Sequence, residues 1–174
     1  EPVVSVNLAK VFSSLDENSA YESKIRVMIE KAKDEEEKRK QEFEQMVERY
    51  NAAAAKDKKN ISEELDLYRL ESDAWARFAL RERDLEQSLI IEDKFRKIKD
   101  AVASLAKVNG WKVVLFDDSD RSFRYEESSA ASRAVQFQQQ ILNRRILWQD
   151  QGVDVSNLVI DRMNNDYAAN RKGS

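Results

Sequence analysis

Between Tyr21 and Val108 the apolar residues return every three or four positions, and no Pro or Gly interrupts them. That spacing puts them on one side of an α-helix. In the first half the stripe runs Tyr21, Ile25, Met28, Ile29 and Ala32, fades through the charged run Lys31 to Glu42, and resumes at Phe43, Met46, Val47 and Tyr50. Within that run acids precede bases at helical spacing, which suits a solvated helix better than an ion site. The second half carries Leu65, Tyr68, Trp75, Phe78, Ala79, Leu85 and Leu89, then Ile91, Phe95, Ile98, Val102 and Leu105, with a slip between Leu89 and Ile91. The polar stretch Lys56-Asp-Lys-Lys-Asn60 reads as the corner between two helices, with Asn60 and Glu63 as a capping box for the second. Two such helices must fold back on each other, because a straight rod would leave both stripes in water.

The flanks have a different rhythm. Val3-Val-Ser-Val-Asn-Leu8 alternates like a half-buried strand, and a short helix follows through Val11, Phe12 and Leu15. Asn109-Gly110 is a helix stop. Trp111 to Phe116 is apolar enough for a central strand, Arg121 to Glu127 alternates like a third, and Arg144 to Trp148 is also strand-like. Ser128 to Leu142 suggests a short helix or loop with Ala134, Phe137 and Ile141 on one face. After Gly152, Val153-Asp-Val-Ser156 leads into a helix from Asn157 to Tyr167, with Ser156 as cap and Val155 packing on Ile160; the tail from Asn170 is expected to fray. The fold expected is α+β and mostly helical. A long antiparallel helical hairpin (20–108, tip near 56–61) is carried by a small β-rich body (1–19 and 109–174).

Composition sharpens this picture. Charged residues make up 36% of the 174 residues, with three Gly and one Pro, as in long helices or coiled coils. A self-contained core is doubtful on these numbers, so some apolar surface is expected between subunits. The net charge is −3, with a pI near 5.3, which suggests neither nucleic acid nor, on overall charge, an anionic membrane as partner. The chain has neither His nor Cys, which removes disulfides, thiol nucleophiles, imidazole bases and most zinc sites. An enzyme is therefore the least supported class, and no cofactor, catalytic residue or metal site is expected. Asp117-Asp-Ser-Asp120 lacks the Gly and distant Glu of a calcium loop and reads as a turn. The chain opens directly on a strand-like run, with no signal peptide or membrane span visible, as a cleaved leader would leave it.

Two sets of residues invite a binding role. Met28, Phe43, Met46, Tyr50, Tyr68, Trp75 and Phe78 are large side chains on thin helices; they can pack on one another or offer part of their surface to a guest. Lys56, Lys58 and Lys59 cluster at the expected tip, either simply solvated or able to touch acidic lipid head groups or carboxylates.

Taken in order, these pieces resemble the OmpH or Skp-like periplasmic chaperones, the seventeen-kilodalton-protein family. The resemblance rests on the opening strand with Val11-Phe12, the charged hairpin, Gly110-Trp-Lys-Val-Val-Leu-Phe-Asp117, and the closing Val153-Asp-Val-Ser156 with Leu158-Val-Ile160 and Met163-Asn164. It implies a homotrimer with a compact β-body and three arms around a cavity. It also implies an ATP-independent holdase that keeps unfolded outer-membrane β-barrel proteins from aggregating in the periplasm. The chain departs from the family in being acidic and in the long segment Ser128 to Asn143, which implies an extra element on the body. The competing readings are a coiled-coil scaffold that binds a folded partner through the tip and a prefoldin-like chaperone; the long region after the hairpin argues against the latter.

Overall fold

A computed structural model describes residues 2–173. The elements are β1 (Val3–Val6), α1 (Leu8–Ser13), α2 (Asn18–Ala52), α3 (Ala55–Asn109), β2 (Val113–Phe116), α4 (Arg133–Leu142) and α5 (Ser156–Lys172), with a 3₁₀ turn at Gln151–Val153. The protein is α+β and mostly helical, with long helices and a small parallel sheet. It divides into two compact units: Ser19–Asp93, and the remainder, which takes in the last turns of α3 from Lys94.

In the second of these units β1 pairs with β2 in parallel register, Val3 opposite Val113 and Val6 opposite Phe116. Parallel neighbours need a long crossover, which α1, α2 and α3 supply. On its other side β1 has one bridge, Ser5 to Asp154, where the Val155 N–H donates to the Ser5 carbonyl at 2.9 Å. β1 is thus the flanked strand and β2 the edge, the reverse of what the apolar run 111–116 suggests. Ser5 is as buried as Val4 and Val6, so β1 is covered on both faces rather than half-buried. The core gathers Val4, Val6, Val11, Leu15, Ile98, Ala101, Val155, Val159 and Met163, with Leu8, Phe12 and Ile160 packed against it.

Local chemistry sets the ends of the elements. Asn7 caps α1 by accepting from the Lys10 N–H. Gly110 takes φ +73, and the Trp111 N–H reaches back to the Ala106 carbonyl at 3.0 Å, which closes α3 with a Schellman turn. Ser132 caps α4. Ser156 is not a cap: it is the first residue of α5, its hydroxyl donates to Asp154, and it accepts the Asn7 N–H at 2.8 Å, tying β1 to α5. α5 continues to Lys172, past the expected fraying point, with Arg171 and Lys172 in its last turn, where cations suit the helix dipole.

The break between the long helices falls at Ala53 and Ala54, not at 56–60. Lys56, Lys58, Lys59 and Asn60 already belong to α3, so Asn60 and Glu63 form no capping box. The lysines are good helix formers, Asp57 gives the first turn an acid, and the Lys58 ammonium lies 5.1 Å over the Tyr50 ring. Small side chains at the break leave room for so short a connection.

The expected third strand is also absent, for a specific reason. Gln140 accepts the Arg124 N–H at 2.9 Å and donates to the Arg124 carbonyl at 2.7 Å. One turn earlier Gln136 accepts the Glu126 N–H and donates to the Glu126 carbonyl. Two side-chain amides of α4 thus take the place of a neighbouring strand, and Phe123 stacks on Phe137 at 5.0 Å. The packed face of α4 is therefore Gln136, Phe137 and Gln140, while Ile141 is exposed. Residues 144–148 are irregular because Asp118 binds the backbone N–H groups of Arg145 and Ile146.

Candidate functional site

In the unit Ser19–Asp93, α2 and α3 meet along a half-buried seam. On α2 it runs Tyr21, Ile25, Met28, Ala32, Glu35, Arg39, Phe43, Met46 and Tyr50, a continuous three-and-four spacing. The run expected to be solvated thus keeps three seam positions, Ala32 and the charged Glu35 and Arg39. Cross-helix polar contacts tie it: Tyr21 donates to Asp93 at 2.5 Å, Lys24 pairs with Glu86, Arg39 reaches Ser72 at 3.4 Å, and Arg49 pairs with Glu64. The Tyr68 hydroxyl donates to Glu42 at 2.7 Å and lies 3.3 Å from the Arg39 carbonyl. Partial desolvation, then that carboxylate, raises the Tyr68 pKa above its ordinary 10.0.

Midway along the seam lies an open cleft of about 800 Å³. Seam positions there hold small residues, Ala32, Ser72 and Ala79, between large ones, Phe43 and Trp75, and no side chain fills the space. The Arg39 guanidinium stands 5.0 Å over the Trp75 ring with its Nε 2.8 Å from Glu35. Arg69 covers Phe43 at 5.7 Å.

Of the residues singled out from the sequence, Met28, Phe43, Tyr68 and Trp75 line this cleft. Met46 and Tyr50 are half-buried in the seam beyond it. Phe78 is elsewhere: it is 57% exposed on another face of α3. Lys56 and Lys59 are exposed, and Lys58 is engaged with Tyr50.

That other face of α3 carries a second apolar stripe. Leu67, Leu70, Ala74, Phe78, Leu85 and Leu89 recur at three, four or seven residues, all exposed, over roughly 33 Å of helix. Leu85 and Leu89, expected in one series with Tyr68 and Trp75, lie on this face, as does Phe78, expected either to pack or to meet a guest. Arg83, Glu86 and Asp93 hold half-buried seam positions instead; Glu86 pairs with Lys24 and Asp93 accepts from Tyr21, whereas Arg83 faces the cleft with no such partner among the described residues. Glu35, Arg39 and the two stripes were legible in principle, by continuing the heptad through polar residues.

Further apolar surface is exposed in the other unit, at Leu115 and Phe116 on β2 and at Leu147 and Trp148, the last 80% exposed. Among the described residues no cluster of acids could hold a metal ion, and no helix is long and apolar enough to cross a membrane. No protein-family model matches the chain, and no curated protein matches it.

Proposed function

We propose that this chain is an ATP-independent holdase of the OmpH or Skp-like kind, acting as a homotrimer in the periplasm on unfolded outer-membrane proteins. The observation that carries the reading is the exposed stripe Leu67–Leu89 on α3, set among charged residues. A holdase needs many weak apolar contacts on a well-hydrated surface, since deep complementary pockets would select one sequence and delay release.

α2 and α3 act as a helical hairpin in this reading. The pairs Tyr21 with Asp93, Lys24 with Glu86, Arg39 with Ser72 and Arg49 with Glu64 support it, because numbers rise along one helix as they fall along the other. Trimerisation through the body is supported by the open edge of β2 and the exposed Leu115, Phe116, Leu147 and Trp148, which a lone chain leaves in water. Three arms would then enclose a client, with their apolar stripes supplying the contacts.

The test combines native mass by light scattering with suppression of aggregation of an urea-unfolded membrane β-barrel. A trimer that keeps the barrel soluble is expected, and changing Leu70, Phe78 and Leu85 together to Ser should abolish suppression without loss of helix. A monomer that leaves aggregation unchanged would refute the proposal.

A further inference from the structure

We propose that the cleft between α2 and α3 binds a segment of unfolded polypeptide in which a bulky apolar side chain lies two or three residues from an Asp or Glu. This rests on the holdase reading and adds to it a contact with sequence preference, distinct from the outward stripe on α3.

The cleft has the size of a ligand site, about 800 Å³, and is open to solvent, so a chain can pass over it while one side chain enters. Its apolar wall is built from Met28, Ile29, Ala32, Ala76, Ala79 and Leu80. The small residues in that wall leave space that no group of the chain occupies. The polar requirement comes from Arg83. It lines the cleft and is half-buried, yet no carboxylate, carbonyl or ring of the described residues engages it. A partly desolvated guanidinium without a counter-ion is unfavourable, and a carboxylate is its best bidentate partner. Arg39, by contrast, is already committed to Glu35 and Trp75. Cationic side chains outnumber anionic ones around the cleft, although the chain as a whole is net negative. That local excess favours an acidic segment over a basic one.

Spacing fixes the register. Arg83 follows Ala76 and Ala79 by one to two helical turns, roughly 6–10 Å along the axis, which an extended peptide covers in about two or three residues.

The experiment measures fluorescence anisotropy of a labelled twelve-residue peptide carrying Phe and Glu three residues apart, against the same peptide with Gln or Lys for Glu. Binding about tenfold tighter for the Glu peptide is expected, with the preference lost in Arg83→Gln and all three peptides weakened in Ala79→Leu, which fills the cleft. Equal binding of the Glu and Gln peptides, or an unchanged preference in Arg83→Gln at native helix content, would overturn the proposal. So would a cleft already covered by a second copy, seen as peptide binding that vanishes as the protein associates. Preference without suppression of barrel aggregation would sink the holdase reading and leave the cleft as a peptide site; suppression without preference would sink the cleft alone.

Discussion

The unit that contains the sheet and the unit that contains the long helices bury their apolar residues in opposite ways. Around β1, Val11 and Val159 are fully inaccessible, and nine residues close one dry cluster. Along Ser19–Asp93 no residue is buried at all. Its seam holds half-buried side chains, and charged or hydrogen-bonded groups occupy seam positions that leucines could have filled, while the leucines face solvent. A helix pair with its best apolar residues outside is poorly designed for its own stability and well suited to meeting something else.

The sharpest way to break this contrast is to make the same kind of truncation in both units. Ile98→Ala, in the dry cluster, should destabilise the protein by about 2–5 kcal/mol, whereas Leu85→Ala on the outward stripe should stay within about 0.5 kcal/mol. Urea titration followed by circular dichroism reads both; equal losses would show that the stripe is packed.

A smaller effect is expected at the amide clamp. Changing Gln136 and Gln140 together to Ala should cost about 1–2 kcal/mol, because the Glu126 backbone groups lose partners where they are partly shielded, whereas water can replace Gln140 at the exposed Arg124 groups. Hydrogen exchange should accelerate at the Arg124 and Glu126 amides and remain slow in β1.

The smallest effect concerns Tyr68. Its folded pKa is raised, so its stabilising contribution is complete below the unfolded value of 10.0 and is lost as pH rises through the folded one. Thermal melts should therefore show wild type losing more stability than Tyr68→Phe as the buffer is moved from neutral to above pH 10. Parallel curves for the two proteins would mean that neither desolvation nor Glu42 raises the Tyr68 pKa.

What the sequence made readable follows from how local each determinant is. The end of α3 was readable because Asn109-Gly110 carries its own conformational demand, whereas the caps at Asn7 and Ser132 went unread, Asn7 lying at the end of a strand-like run and Ser132 within a serine- and alanine-rich stretch. The break between α2 and α3 was misplaced because Ala53 and Ala54 have high helix propensity, so no breaker residue marks it. Arg121–Glu127 keeps a strand's alternation, but its backbone partners are glutamines that no periodicity announces. The cleft was half visible: its large residues were named, whereas Arg39 and Arg83 looked like ordinary solvated charges.

The sheet also carries a consequence for timing. β1 lies near the start of the chain, yet Ser5 and Asn7 hydrogen-bond residues 148 and 149 positions later. The opening strand must therefore wait, unpaired, until Val113–Phe116 has been delivered, and it gains its second flank only with residues 153–156, while α2 and α3 can meet before either arrives. In a chain that emerges from its N-terminus, the long helices would be made before β2 exists. For that interval the newborn protein is itself an unfinished β-structure with greasy strands exposed, much like the molecules it is proposed to shelter.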